Sequence, residues 1–147
     1  MIYNTTYRNQ EAKEIFNDLL GKSYSFLQAI KMGGVGSKRM IIEEVSPGFA
    51  KYMNAVSDIN YGNIEIREKG IIIHITKGLK NFSWGIPFYQ LHTYKTAGLS
   101  IHACGNFVRF KNNKLLKENK KFIDKIIEMK IKNTSNYEFY SSTNSTF

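Results

Sequence analysis

The segment Ile64-Glu65-Ile66-Arg67-Glu68-Lys69-Gly70-Ile71-Ile72-Ile73-His74-Ile75 decides how the rest of the chain is read. Ile64 and Ile66 alternate with Glu65 and Arg67, a period of two that puts the apolar side chains on one face of a strand. Glu68-Lys69-Gly70 is a turn sequence, and Ile71 to Thr76 returns as a second strand. Further on, Lys77-Gly78-Leu79-Lys80-Asn81 turns the chain into Phe82 to Ile86. Tyr89 to Lys95 follows Pro87, Ala97-Gly98 leads to Leu99 to Ala103, and Cys104-Gly105-Asn106 precedes Phe107 to Phe110. These connections are too short for parallel crossovers, so the pattern predicts an antiparallel meander of five or six strands.

After Lys111-Asn112-Asn113 the period becomes helical, from Lys114 to Lys132. Leu115, Phe122, Ile123, Ile126 and Ile127 share one arc of that helix, and Lys114, Lys117, Lys121, Lys125 and Lys132 form a stripe opposite it. Upstream, Ala12, Ile15, Phe16, Leu19 and Leu20 predict a helix that Thr6 or Asn9 caps and Gly21 ends. A shorter helical segment from Ser23 places Tyr24, Leu27 and Ile30 on one side and stops at Gly33-Gly34. Arg39 to Val45 reads as a short strand or a helical turn, and Phe49, Tyr52, Met53 and Val56 as one helical turn or two. Residues 1–62 are thus expected to be a helical segment and connector packed on the same domain, 63–132 the sheet and its helix, and 133–147 a loose polar tail. In that tail Tyr137, Phe139 and Tyr140 offer contacts to the body.

A length of 147 residues with 42% hydrophobic content suits one domain with one core. The longest apolar run is Ile71-Ile72-Ile73, far from the ~20 residues of a membrane-spanning helix. The start, Met1 to Thr6, lacks the apolar core of a signal peptide, so a soluble cytoplasmic protein is expected. A single cysteine, Cys104, excludes an internal disulfide and a multi-cysteine zinc site and agrees with a reducing compartment. The net charge of +9 is unevenly placed: residues 1–68 balance, whereas 69–104 carry four basic and no acidic side chains, and 105–147 nine basic and four acidic. With 17 Lys, 4 Arg, 18 Ile and 14 Asn, the bias is that of an AT-rich bacterial genome, and Lys is a weaker sign of forked phosphate contacts than Arg. Gly33-Gly34-Val35-Gly36-Ser37-Lys38 lacks the spacing of a phosphate-binding loop and follows no apolar strand, so it is read as a connector.

The runs Ile64 to Ile73, Phe82-Ser83-Trp84-Gly85-Ile86-Pro87-Phe88, Leu99-Ser100-Ile101 and Phe107-Val108-Arg109-Phe110, closed by the amphipathic helix, resemble a bacterial pleckstrin-homology-like domain of the YcxB-like type. The likeness spans about residues 63–130. It implies an α+β fold: a curved antiparallel sheet or partial barrel, PH-like, closed by a C-terminal amphipathic helix, with an N-terminal helical segment. It also implies a binding scaffold rather than an enzyme. Members that hold inositol phosphates place basic residues on the first two strands and their loop, where this chain has only Arg67 and Lys69 around Glu68.

The function expected on these grounds is a non-enzymatic module for a protein or peptide, bound at a sheet edge or a helix-flanked groove. The alternative is peripheral binding to an anionic surface, membrane lipid or nucleic acid, through Lys77, Lys80, Lys111, Lys114, Lys117 and Lys121. An enzyme is the third reading: His102 and Cys104 are two apart and would share a strand face, but no orienting group or second ligand pair accompanies them. No catalytic residue, metal or cofactor is therefore assigned, and the oligomeric state stays open.

Overall fold

The computed structural model describes residues 2–54 and 59–145, with side chains described through residue 134. Eight strands form one antiparallel sheet: β1 (Ile2–Asn4), β2 (Met40–Val45), β3 (Asn60–Arg67), β4 (Gly70–Lys77), β5 (Lys80–Pro87), β6 (His92–Tyr94), β7 (Leu99–Ala103) and β8 (Asn106–Phe110). Their spatial order is β1-β5-β4-β3-β2-β8-β7-β6. The sheet does not close into a barrel; β1 and β6 are its edges.

Of the five or six strands expected between Asn63 and Phe110, six form, but not as one continuous meander, and the strand read over Tyr89 to Lys95 shortens to β6 because Tyr89 and Gln90 belong to a 3-10 turn. β3-β4-β5 and β6-β7-β8 are two three-stranded units, and β2 stands between them, pairing with β3 on one side and β8 on the other. The segment Arg39 to Val45 thus resolves as strand, and β2 occupies the position a continuous meander would give to neighbouring hairpins. A 3-10 turn at Phe88–Gln90 carries the chain from one unit to the other. Strand β1, three residues without a readable period, pairs Ile2 with Trp84 and was not expected from the sequence.

The inward face of the sheet holds the main core. Ile64, Ile66, Ile71, Ile73, Ile75 and Ile86 are fully buried there, and Trp84 packs edge-on against Phe49 with 4.7 Å between ring centroids. Ile72 points the other way, into a second cluster with Ala12, Phe16 and Leu20 of α1 (Gln10–Leu20). Burial on both faces explains why this strand reads as an unbroken apolar run. Asn9 caps α1 by accepting from the Ala12 N–H at 3.0 Å, and Gly21 ends it at φ +83°. Close approach of α1 requires Gly85, where a Cβ would lie 2.6 Å from the Phe16 ring. Burying Phe16 and Leu20 here is worth on the order of 3–6 kcal/mol together.

Three helical expectations are corrected. The Ser23 segment forms as α2 (Phe26–Lys31), shorter than read, and buries none of its residues. Phe49 and Tyr52 lie in a 3-10 turn, Pro47–Tyr52, rather than an α-helix, while Val56 lies outside the described residues. The long C-terminal helix is two: α3 (Lys114–Glu118) and α4 (Lys120–Ser145). Asn119 breaks it, because its buried side chain accepts from Lys38 N at 2.9 Å and donates to Lys38 O and Leu115 O. Helix α4 does not stop at Lys132 but takes in the polar segment to Ser145, where the side chains of Tyr137, Phe139 and Tyr140 lie outside the description.

Ile123 and Ile126 of α4 are buried against the core, at 6% and 2% exposure. Ile126→Asp places an unpaired carboxylate there, which costs on the order of several kcal/mol, so the melting temperature is expected to fall by about 10 °C or more. Lys121→Glu, on the exposed side, is expected to move it by no more than about 2 °C. Thermal unfolding of the two variants followed by circular dichroism checks both; an unchanged midpoint for Ile126→Asp removes α4 from the core.

Candidate functional site

Three places gather polar or charged side chains. The first is the outer face of β3, β4 and β5. The registers Asn63↔His74 and His74↔Ser83 align the three strands, and alternation turns Glu65, His74 and Ser83 to the same outer side. Glu65 Oε1 meets His74 Nε2 at 3.1 Å, His74 Nδ1 meets Ser83 Oγ at 2.8 Å, and Ser83 Oγ meets Thr5 Oγ1 at 2.7 Å. Arg67, 8% exposed, donates from Nε to Glu65 and from Nη1 to Asn17 Oδ1 and Gly21 O of the α1 end. A cleft of about 430 Å³ lies between this chain of groups and α1, lined by Lys13 and Asn81 among others.

The order Ser, His, Glu is that of a nucleophile with its base and orienting carboxylate. Here Ser83 is 1% exposed and its oxygen is already held between His74 and Thr5. The chain therefore fastens β1, β5, β4 and β3 together and anchors the end of α1, rather than presenting a nucleophile. Burial alone pushes the Glu65 carboxyl up, but the hydrogen bonds from His74 and Arg67 outweigh it and hold the group below its ordinary value. Arg67, one of the two basic residues near the β3–β4 turn, is committed to these contacts.

The second place is a groove of about 270 Å³ between the β6–β7 turn and helices α3 and α4. Its apolar floor is Leu99, Leu116 and Ile123, and its rim carries Lys95, Lys117 and Lys120. Asp124 meets Lys95 at 3.1 Å and is the acidic side chain of this lining. The turn forming one wall has Ala97 at φ +54° and Gly98 at φ +112°; a Cβ on Gly98 would sit 2.3 Å from Phe110 O. That wall is pinned to β8, so the groove is built before anything enters it.

Of the six lysines read as an anionic-surface site, Lys77 and Lys80 are at the β4–β5 turn, and Lys111, Lys114, Lys117 and Lys121 follow β8 in the chain. Lys77 donates to Lys51 O at 2.8 Å. Only Lys117 of the six lines the groove. Lys95 and Lys120, which the sequence reading did not include, also line it, and Lys95 does so from the β6–β7 turn, far from α3 and α4 in sequence. Lys125, read as part of the free stripe, instead donates to Met32 O and Gly34 O.

The third place is the pair His102 and Cys104, and it does not form as expected. His102 lies in β7, stacked on Phe107 at 5.1 Å and edge-on to Tyr94 at 5.0 Å. Cys104 lies beyond the strand in the turn to β8, at φ +50° followed by Gly105 at φ +80°. Such a two-residue turn with both φ values positive ends the strand alternation that would have put the two side chains on one face. Cys104 is exposed and its Sγ donates to Gln90 Oε1 at 3.1 Å. Burial, aided by Arg109 and His92, holds the His102 imidazole below its ordinary value. Among the described residues no three His, Cys, Asp or Glu side chains are grouped to hold a metal ion, and no helix is long and apolar enough to cross a membrane.

Two outcomes follow for these groups. Because the folded Glu65 pKa lies below the unfolded one, its stabilisation is present above the unfolded value of about 4.3 and is lost as pH falls through the folded value. The melting-temperature gap between the wild type and Glu65→Gln is therefore expected to be full near neutral pH and to shrink below about pH 4 in a calorimetric pH series; a gap independent of pH would contradict the network. Cys104→Ser is expected to change stability by no more than about 0.5 kcal/mol, measured by denaturant unfolding. Stoichiometric zinc in the purified protein, lost with that substitution, would show that the thiol has a role this geometry does not assign.

No family model, no curated protein and no solved structure matches this chain.

Proposed function

We propose that the chain is a pleckstrin-homology-like, non-catalytic cytoplasmic module that binds an extended acidic peptide segment of a partner protein in the groove between the β6–β7 turn and α3/α4. Two three-stranded units followed by a C-terminal helix support the architectural part of this reading. The single exposed thiol of Cys104 supports the compartment.

One observation carries the functional part: an apolar floor of Leu99, Leu116 and Ile123 beneath three lysines whose lining contains one carboxylate. An apolar side chain of the peptide fills the floor, and its Asp or Glu side chains meet Lys117 and Lys120, which are exposed and outside any ion pair among the described residues. Strand β6, an edge of the sheet, borders the same turn and leaves one side of its backbone for main-chain pairing with an extended segment.

Selection from a random displayed peptide library against the full chain tests this reading. The expected winners combine a large apolar residue with nearby Asp or Glu, shift the methyl resonances of Leu99 and Leu116, and lose about ten-fold or more in affinity for Lys117→Glu/Lys120→Glu, a change of about 1.4 kcal/mol. Winners without acidic enrichment, or with undiminished affinity for the double variant, would remove the groove from the function.

A further inference from the structure

Residues 19–42 contain no aspartate or glutamate and carry Lys22, Lys31, Lys38 and Arg39. All four are exposed, and none is in an ion pair among the described residues. Glu68 of the β3–β4 turn, beside Gly21, faces the start of the stretch. In its middle is α2, six residues with none buried. So short a helix is unstable in water unless packing supports it, yet Phe26, Leu27 and Ile30 are 80%, 71% and 60% exposed.

Polar fastenings hold it instead. Ser25 Oγ accepts from Gln28 N at 3.3 Å while Gln28 Oε1 accepts from Ser25 N at 3.0 Å, a complete capping box. At the other end the N–H groups of Met32, Gly33 and Gly34 return to the carbonyls of Gln28, Ile30 and Ala29. The Lys125 ammonium of α4 donates to the Met32 and Gly34 carbonyls. On either side Tyr24, Met32 and Val35 pack against the core. The helix is thus clamped to the body with its large apolar side chains turned to water.

We propose that α2 is an interfacial anchor that lays Phe26, Leu27 and Ile30 into an anionic lipid bilayer, with Lys22, Lys31, Lys38 and Arg39 against the lipid phosphates. A ridge of large apolar side chains in an exclusively basic stretch is the combination that interfacial helices use. Charge argues against a second copy as the occupant, since pairing α2 with itself would bring the flanking Lys22 and Lys31 of each copy together. The clamped ends mean that binding need not order the helix. None of these residues is in the lining of the peptide groove.

Trp84, the single tryptophan, is 2% exposed, so Phe26→Trp adds a reporter over a constant background. With vesicles of phosphatidylcholine containing about one third phosphatidylglycerol, its emission is expected to shift to shorter wavelength, and the wild type to co-sediment less as salt rises. The triple variant Phe26→Ser/Leu27→Ser/Ile30→Ser is expected to bind about ten-fold or more weakly with an unchanged melting temperature, since none of the three is a core residue. Undiminished binding by the triple variant overturns the proposal, as does equal binding to phosphatidylcholine alone. A shift seen with Leu79→Trp, 96% exposed at the far end of β4, but not with Phe26→Trp would also overturn it. So would a wild-type dimer in light scattering that the triple variant lacks.

Discussion

The pairing of β2 with two strands at once is the constraint on which the rest of this structure depends. Met40, Ile41 and Ile42 pair with β3, while Ile42, Glu44 and Val45 pair with β8 across a register shift between Ile42 and Glu44. One six-residue strand thereby joins two three-stranded units into a single curved core. Met40 and Ile42 are buried from that position, and Phe110 of β8 is brought over the same core. The connection also fixes where α3 and α4 begin. Lys111 N donates to Ile41 O at 2.8 Å, and Asn119 holds the backbone of Lys38 just before β2. Both walls of the groove, the helix pair and the β6–β7 turn, are therefore referenced to β2.

The outer face shows how a sheet with one core accommodates a second, smaller one. Ile72 receives Phe16 and Leu20, and the missing side chain at Gly85 lets the helix come close. Next to this apolar patch the strands carry a polar chain running from Arg67 through Glu65, His74 and Ser83 to Thr5. Removing one member would leave its neighbours desolvated without a partner, which is the costly way to break such a network. The same arrangement spread over a solvent-facing sheet would have been worth little.

Much of the architecture was legible because strand alternation and turn chemistry act locally. Glu68-Lys69 and Gly78-Leu79 each close a hairpin where the sequence reads a turn, and Asn9 and Gly21 bound α1. What was not legible depends on contacts distant in sequence. Nothing local says that Arg39 to Val45 enters between two units, that Ile2–Asn4 adds an edge beside β5, or that Asn119 breaks a helix to bond a residue 81 positions away. The groove depends on such contacts too. Lys95 joins Lys117 and Lys120 only through the fold that sets the β6–β7 turn beside α3 and α4, and of the six lysines read from the sequence Lys117 is the one in this lining.

A net charge of +9 invites a search for an anionic partner, yet part of it has a structural explanation. Lys77 donates to Lys51 O, Lys125 to the carbonyls after α2, and Lys130 to Leu91 O. In each case a long flexible side chain supplies a donor where the backbone leaves a carbonyl unpaired, a role lysine performs with its ammonium while its stem covers apolar surface. Lys130 shows the consequence in its acidity, since burial draws its ammonium below the ordinary lysine value. Total charge therefore overstates the surface free to meet a ligand. The cations that matter are those with no carbonyl or carboxylate to hold, and they become informative only where they stand beside apolar groups that a partner can reach, as Lys117 and Lys120 do over half-buried Leu116 and as Lys22 and Lys31 do around exposed Phe26 and Leu27. At such places desolvation of the apolar group and attraction of the anion favour the same partner, whereas a lysine surrounded only by water selects none.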